Sequence, residues 1–396
     1  MTTGELKKDN TPEVIALILV CRVFLKTATD EELSNFLVKE KIDWTLFYDM
    51  VRAHQIRPIV NKVFADIKIN EGVSGRLQSD CMQITLRNFE HYRELIRLSN
   101  LFQKAGITAV PYKGCLFSLQ FYHDIGLREF SDLDFLINPD LKDVHAIGEI
   151  IVESGYVTGF DAPEKFREFY FSHIREFKFL LFADNKRKFL AEFHSLLNDP
   201  VFETDLPIPN AYLFGDLKEE ILNGNNLRLL SPTKHFIAML THHGIREQWT
   251  SLKNIMDLAM VIRSDSAVNW DSVFECGHTY RFNKVLAVGL QIADDLFGVN
   301  AGVPYRKVKT ITPWLKKLFS KHLQKPGRTW RNNFALKLKS KDSAGDKYRM
   351  LFAHARHIAS PSILDYKFVQ LPRPLFFLYL FVKPVRMLRK RVKGDG

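Results

Sequence analysis

The segment 128–137 constrains the fold of this chain most, because polar and apolar residues alternate along it. Side chains of a β-strand point alternately to opposite faces of the sheet. In a predicted strand over 132–137, Asp132 and Asp134 therefore share one face. The side chains that point the other way, into a core, are Leu133, Phe135 and Ile137. Two neighbouring carboxylates repel each other unless a cation neutralises them, and oxygen ligands on a rigid strand suit Mg²⁺. The pair predicts a metal site; the alternative is two solvated acids at a strand end.

A predicted strand-to-helix turn precedes this acidic pair. The apolar run 107–110 is predicted to be a strand that stops at Pro111, and residues 115–122 are predicted to form a helix. Between them, Gly114 would let the backbone approach a phosphate closely, and the start of the helix would offer free N–H groups to the anion. Lys113 adds a positive charge. We interpret the turn as a candidate phosphate site, with an ordinary turn as the alternative.

A later predicted strand supplies a third carboxylate. Glu192 and His194 are two residues apart and so share a face of that strand. A third acid beside the first two would complete a two-metal site. Glu176 and Asp184 are competing candidates for this third acid.

The rest of the chain is predicted to be helical, and its 396 residues exceed the usual size of a single core. Thr29 and Glu32 have the spacing of a capping box, and one amphipathic helix is predicted over 79–104. Strands at 175–182 and 188–196 are predicted to form a hairpin. The fold class is α+β, a mixed sheet flanked by helices. The predicted regions are a helical one at 1–105, the sheet-containing core at 106–200, a helical one packing on it at 201–300, and a basic helical one at 301–396.

These motifs together resemble a bacterial family described as uncharacterised nucleotidyltransferases, within the polymerase-β-like nucleotidyltransferase superfamily. The resemblance covers roughly residues 12–290. It rests on Tyr112-Lys113-Gly114, Arg128, Ser131-Asp132-Leu133-Asp134, Glu192-Phe193-His194, the lead-in His54-Gln55-Ile56-Arg57-Pro58 and the run from His235 to Leu258.

The resemblance implies a nucleotidyltransferase-type mixed sheet whose metal ions, Mg²⁺ or Mn²⁺, serve the transfer of a nucleotide. The residue after Gly114 is Cys115 rather than the usual Ser or Gly, and the third acid is Glu rather than Asp. The residues expected to be catalytic and to bind metal are Asp132, Asp134 and Glu192. Those expected to bind the nucleotide are Lys113, Gly114, Arg128, Ser131 and His194.

Several polar residues near these motifs have two interpretations. Arg128 either clamps a phosphate or pairs with Glu129 or Asp124. Lys253 and Asp257 have the spacing of an ion pair along a helix.

Three histidines, at 235, 242 and 243, lie at helical spacing. In an α-helix Glu247 would align with His243 alone. The spacing therefore favours helix packing, or contact with the substrate or the acceptor, over a metal site.

Composition bounds the partners and the compartment. The net charge of +11 indicates an anionic partner. The four cysteines form no CxxC pair, and no signal peptide precedes the first helix, so we expect a cytoplasmic protein without disulfides.

The segment 371–393 joins an apolar run, which Pro384 is expected to end, to a basic cluster. This favours either an anionic membrane surface at the inner face or a helix docked on the core with a solvated basic end.

The sequence leaves two main functional hypotheses. The first is an enzyme that moves a nucleoside monophosphate from an NTP to an unidentified acceptor, a role that a membrane-bound protein could have in surface-polysaccharide assembly. The second is a catalytically silent nucleotide-binding or regulatory module, favoured by the unusual turn at Cys115. Nucleic acid is disfavoured as a partner, because the basic residues concentrate after residue 306 without stacking aromatics around the site.

Overall fold

A computed structural model gives the fold and confirms the α+β class. The residues that the structure describes are 3–6, 10–67, 69–138, 141–158, 176–197, 208–222, 224–264, 268–302, 334 and 337–392. Most of the basic segment predicted to be helical after residue 304 lies outside the described residues, as does the last residue of the predicted tail, Lys393.

A mixed five-stranded sheet positions the predicted site. Its strand order is β1-β2-β5-β4-β3, with β2 and β5 parallel and the other neighbours antiparallel. A separate antiparallel pair is formed by β6 and β7. The strands are β1 (Ala109–Tyr112), β2 (Leu133–Ile137), β3 (Val157–Thr158), β4 (Glu176–Ala183), β5 (Lys186–His194), β6 (Leu217–Leu222) and β7 (Asn225–Leu230).

Helices cover the sheet and form the rest of the described chain. The α-helices are α1 (Thr3–Leu6), α2 (Pro12–Phe24), α3 (Asp30–Lys39), α4 (Trp44–Ala53), α5 (Arg57–Val63), α6 (Glu71–Lys104), α7 (Gly114–Phe117), α8 (Leu141–Glu153), α9 (Asn210–Phe214), α10 (Pro232–Leu240), α11 (Leu252–Arg263), α12 (Trp270–Thr279), α13 (Asn283–Phe297), α14 (Ala344–Ala359), α15 (Ile363–Phe368) and α16 (Tyr379–Val392). Turns of π-helix span Ser118–Tyr122 and Thr241–Arg246, and 3₁₀ turns span Ile125–Leu127 and Arg373–Leu378.

Local sequence signals explain several of these elements. The predicted capping box of Thr29 and Glu32 is present at the start of α3. The predicted hairpin is β4 and β5, joined at Asp184 and Asn185. Both residues have positive φ, at 49° and 59°, as a two-residue hairpin turn requires.

Three predictions about these elements were wrong. Strand β1 does not stop at Pro111 but continues to Tyr112, because β1 is an edge strand and the missing N–H of proline is tolerated there. Helix α6 begins at Glu71 rather than near residue 79, with the Asn70 side chain accepting a hydrogen bond from the Val73 N–H. The region 201–300 is not wholly helical, since β6 and β7 pair within it despite the helix-forming Lys and Glu residues of β6.

Two groups of buried apolar side chains stabilise this arrangement. The first is shared by α2–α5, the beginning of α6 and α10–α13. The second lies between the sheet, α6 and α8. Within it, the rings of Phe135 and Phe193 stack with centroids 5.2 Å apart, and Phe102 packs edge-on against both. The apolar face predicted for β2 therefore faces a core, which leaves the opposite face for the acids.

The C-terminal tail continues as helix through Pro384, so the prediction that this residue ends the run was wrong. Helix α16 packs on α14 and α15, around the buried rings of Tyr366 and Tyr379. Among the described residues, no helix combines the length and apolar character needed to cross a bilayer.

Candidate active site

The register of the sheet gathers the predicted acids on one face. Asp134 lies opposite Glu192 across the parallel pair of β2 and β5, and Glu192 lies opposite Lys178 on β4. In the next row, His194 lies opposite Glu176. Because directly paired residues share a face, all five side chains project from the side of the sheet away from the phenylalanine core.

Asp134 is buried and accepts two charge-assisted hydrogen bonds. Lys113 Nζ and His194 Nε2 each donate to its Oδ1 at 2.9 Å. Burial alone would raise the pKa of Asp134, but Lys113 and His194 more than offset burial and hold the pKa of this carboxyl well below its usual range. Asp134 is therefore a carboxylate that is already matched to positive charge.

Asp132 differs from Asp134 in its surroundings. It is partly exposed, and no hydrogen bond or ion pair of its side chain is found within the described residues. Burial, followed by the charge of Asp134, raises the pKa of Asp132, while Lys113, Lys253 and Arg128 act in the opposite direction. A partly buried carboxylate beside a second carboxylate, with no hydrogen-bond donor among the described residues, is suited to binding a cation.

Glu192 is the third acid that the fold brings to this pair. Its Oε1 accepts a hydrogen bond from Lys178 Nζ at 2.6 Å, and its Oε2 lies 3.8 Å from His194 Nε2. Burial, then Glu176 and Asp134, raises the pKa of Glu192. Asp134, Glu192 and His194 offer ligand atoms within 4.8 Å of one another, so these three residues could hold a metal ion.

The competing candidates for the third acid lie elsewhere. Glu176 is engaged by Lys178 and by Arg246, whose Nη1 lies 3.3 Å from Glu176 Oε2. Asp184 is exposed at the β4–β5 turn, at the far end of β5 from Glu192. The geometry thus favours Glu192 over both.

The turn at Lys113 and Gly114 lies against the acidic pair, as the sequence predicted. A Cβ added to Gly114 would lie 3.6 Å from the backbone oxygen of Asp132. Lys113 has φ 59° and ψ −155°, a backbone conformation that costs energy for a residue with a side chain.

The backbone N–H of Lys113 is not free for an anion. It donates to His235 Nε2 at 3.1 Å, and His235 Nδ1 donates to Gln120 Oε1 at 2.6 Å. Burial and Arg128 lower the pKa of His235 to about 3, so the ring is neutral and can accept at Nε2. His235 thus holds the turn in place, in agreement with the predicted packing role.

Arg128 has neither of its predicted partners. Its guanidinium forms a buried, forked ion pair with Asp257, with Nε 3.0 Å from both carboxylate oxygens and Nη2 2.9 Å from Oδ2. Asp257 also accepts hydrogen bonds from Tyr122 Oη at 2.8 Å and His243 Nε2 at 2.7 Å. The expected helical pair of Lys253 with Asp257 was wrong, because Lys253 Nζ donates instead to Gln55 Oε1 and to the backbone oxygen of Glu129.

A cavity of about 430 Å³ lies in front of the acidic face. It is bounded by the sheet on one side and by the second π-helical turn and α11 on the other. Of the predicted site residues, His194 does not line it but lies behind Asp134. The lining contains Lys113, Gly114, Arg128, Ser131, Asp132, Asp134 and Glu192 from the prediction, together with Arg52, Gln55, Arg57, Arg87, Glu129, Phe130, Lys178, Met239, His242, His243, Arg246, Glu247 and Lys253.

Sequence reasoning missed most of the cations in this lining, where eight basic side chains face five acidic ones. Of the cations that were missed, Arg87 indicates a binding role most clearly, because its Nε is buried and has no hydrogen-bond partner among the described residues. Burial lowers the pKa of both Arg87 and Lys253. Arg87 lies in the middle of α6, where no local pattern signals a binding role.

A mixed sheet with converging carboxylates beside a basic cavity defines a nucleotidyltransferase-type α+β protein. The family model described as "Uncharacterised nucleotidyltransferase" matches residues 40–298, and the chain belongs to this family, as its motifs predicted. No curated protein and no solved structure matches the chain. Family membership supports nucleotidyl transfer as the general activity.

The buried ion pair predicts a large stability effect. We expect Asp257→Asn to lower the free energy of unfolding by about 3–5 kcal/mol, because it leaves the Arg128 charge buried without compensation. The matched control is Glu176→Gln, which removes the charge of a partly exposed pair with Arg246 and should cost about 1 kcal/mol or less. Urea unfolding measures both, and an Asp257→Asn protein as stable as the control would contradict the prediction.

Proposed function

We propose that this protein is a metal-dependent nucleotidyltransferase that moves a nucleoside monophosphate from an NTP to an acceptor hydroxyl or phosphate. One observation carries the proposal. Asp132, Asp134 and Glu192 converge on one wall of a cavity whose remaining lining is predominantly basic. Carboxylates attract divalent cations, and the surrounding cations attract phosphate, so the cavity matches a metal–triphosphate ligand on both counts.

The donor set fits Mg²⁺ or Mn²⁺. Asp132 offers a carboxylate with no hydrogen-bond donor among the described residues, and Asp134 and Glu192 offer further oxygens beside the imidazole of His194. A bound divalent cation would supply charge neutralisation for the attacking and leaving oxygens. We assign Asp132, Asp134 and Glu192 to holding it, and His194 to fixing the orientation of Asp134.

The cations of the lining would bind the triphosphate. Among the described residues, Arg87 Nε has no hydrogen-bond partner and Lys253 donates only to neutral oxygens. In the structure the Lys113 ammonium neutralises Asp134. Once a bound metal ion neutralises Asp134 instead, this ammonium would turn toward the phosphates. The cavity volume of about 430 Å³ falls within the roughly 300–1,000 Å³ typical of small-molecule sites.

Glu192 is suited to a second role in proton transfer. Its raised pKa results from burial and from two neighbouring acids, Glu176 and Asp134. This shift applies to Glu192 without a bound cation, and a carboxylate with a raised pKa is then a better proton acceptor. We propose that Glu192, which lines the cavity, either holds the metal ion or helps to deprotonate the acceptor.

A catalytically silent binding module is the second candidate, and one contact favours it. In the structure the Lys113 ammonium occupies the oxygen of Asp134 that a metal ion would use. Stabilisation of the fold by NTP without Mg²⁺, in the absence of any turnover, would support this alternative.

Pyrophosphate release from each of the four NTPs tests the enzyme hypothesis. The assay contains Mg²⁺ and a lysate-derived pool of acceptors, and compares wild type with Asp132→Asn. Because Asp132 has no partner to lose, we expect the variant to keep its fold and to lose at least a hundredfold in rate, as removal of a group that stabilises developing charge does.

The matched control is Asp184→Asn, which makes the same chemical change on the exposed turn of the same sheet and should keep full activity. Equal release by wild type and Asp132→Asn would contradict the proposed site. Binding of NTP that does not require Mg²⁺, without release from any NTP, would point to the silent module.

We also propose that α16 contacts an anionic membrane surface, which would place the acceptor among lipid-linked precursors of a surface polysaccharide. Phe381, Val385 and Leu388 recur at helical spacing and are 71%, 56% and 61% exposed, so one face of the helix is apolar and uncovered. Two basic residues dock the helix, since Arg386 Nε donates to Asp365 and Lys383 Nζ to the backbone oxygen of Ser360. The docked helix presents its apolar face outward, as an interfacial helix does.

Sedimentation with vesicles containing phosphatidylglycerol tests this contact. We expect binding to weaken at least tenfold in the double variant Phe381→Ser/Leu388→Ser, because it removes apolar area from the exposed face. Val38→Ser, at a residue of α3 that is 89% exposed, serves as the control and should bind like wild type. Equal binding of all three proteins, or none by the wild type, would contradict a role for this helix.

A further inference from the structure

The second π-helical turn, Thr241–Arg246, groups two histidines with an acid. In an α-helix Glu247 would lie beside His243 alone, but the wider turn brings both rings to it. His242 Nε2 lies 3.8 Å from Glu247 Oε1, and His243 Nδ1 lies 3.9 Å from Glu247 Oε2. Turns of π-helix are rare and occur frequently at functional sites.

Packing and unusual backbone geometry hold this turn. The Trp249 ring lies against two glycines, because a Cβ on Gly244 would come within 3.0 Å of it and a Cβ on Gly289 within 2.5 Å. Gln248 and Trp249 both have positive φ, at 57° and 56°. Backbone strain of this kind persists only where the surrounding structure enforces it.

The two rings are spaced as ligands of one metal ion would be. Their Nδ1 atoms are 3.3 Å apart and share one proton, with His242 donating because His243 carries its own proton on Nε2. Metal–nitrogen bonds of about 2.0–2.1 Å in a tetrahedral site separate two ligand atoms by about 3.3 Å. A metal ion bound by the two Nδ1 atoms can therefore replace the shared proton with little movement of the rings. Glu247 Oε2 lies 3.9 Å from His243 Nδ1 and would need to approach that atom by about 0.6 Å. The 3.8 Å contact of Glu247 with His242 is at Nε2, the ring nitrogen that would not bind the ion.

Outer partners orient two of these three ligands. His243 Nε2 donates to the buried carboxylate of Asp257 at 2.7 Å, which aims Nδ1 at the neighbouring residues. Asn254 Nδ2 donates to Glu247 Oε2 at 2.7 Å. A carboxylate behind a ligating histidine is the usual supporting arrangement of protein metal sites.

Most of the cations near this position are paired with carboxylates. Arg128 is matched by Asp257, Lys113 by Asp134 and Arg246 by Glu176, whereas Lys253 donates to neutral oxygens. Among the described residues no Lys or Arg forms an ion pair with Glu247, whose hydrogen-bond partner Asn254 is neutral.

We propose that His242, His243 and Glu247 bind a transition-metal ion of the Zn²⁺ or Co²⁺ type, at a site separate from that of Asp132 and Asp134. Two imidazoles and one carboxylate form the ligand set that suits such ions rather than Mg²⁺. All three residues line the cavity, so the open coordination position faces it and is accessible to an oxygen of a bound molecule. The inference does not depend on the proposed nucleotidyl transfer.

Titration of the full-length protein with Co²⁺ tests this site, with visible absorption as the readout because the colour of Co²⁺ reports the ligand geometry. We expect one ion bound with the intense absorption of a four-coordinate site. His242→Ala and Glu247→Gln should each weaken binding at least tenfold; the glutamine keeps an oxygen for Asn254, so the fold is retained.

Two control variants separate this site from its surroundings. His278→Ala removes an exposed histidine of α12, and Asp132→Asn alters the sheet site without removing the carboxylate that pairs with Lys113; both should bind Co²⁺ as wild type does. Unchanged affinity in both His242→Ala and Glu247→Gln, or no four-coordinate absorption in the wild type, would overturn the proposal. Loss of the signal in Asp132→Asn alone would assign the ion to the sheet site and also overturn it.

Discussion

The ion pair of Arg128 with Asp257 is the interaction on which both walls of the cavity depend. Arg128 lies directly before the segment that carries the acidic pair, and Asp257 belongs to the helix on the other side. The Asp257 carboxylate also accepts hydrogen bonds from Tyr122 and His243, so one buried group orients residues of three separate elements. Burying two charges has a large desolvation cost, which forked geometry and additional hydrogen bonds offset here. The pair is therefore better explained by positioning than by stability.

The fold gives the two chemically identical residues of the acidic pair opposite pKa shifts. Asp134 lies inside the strand with Lys113 and His194 on one oxygen, and its pKa falls. Asp132 lies just before the strand, at the cavity, and its pKa rises because it is partly buried next to Asp134. Arg87 is its counterpart of opposite charge, with a buried Nε that has no hydrogen-bond partner among the described residues. A carboxylate and a guanidinium nitrogen without such partners line the same cavity, and this supports the proposed metal–phosphate ligand.

Short-range patterns predicted the part of the site that depends on strand geometry. Alternation predicted that Asp134 and Glu192 project from one face of the sheet, because period-two side-chain orientation follows from the backbone alone. Asp132 was predicted to begin the strand but lies just before β2, where it lines the same cavity. The partner of Arg128 could not be predicted in this way, since Asp257 is 129 residues distant and local neighbours such as Glu129 are equally plausible from spacing. The contact of Glu247 with His242 was missed for a related reason. The spacing argument assumed an α-helix, and a π-helical turn depends on tertiary packing that no local pattern records.

Three residues near the cavity adopt a backbone conformation that a side chain disfavours. On the sheet side Lys113 has positive φ, and after the second π-helical turn Gln248 and Trp249 do. A side chain with a Cβ adopts this conformation only at a cost of order 1–3 kcal/mol, which the surrounding contacts must offset. The His235 ring accepts a hydrogen bond from the Lys113 N–H, and the Trp249 ring packs against Gly244 and Gly289. Tertiary contacts rather than local sequence preferences therefore fix the backbone beside the acidic pair and beside the histidines.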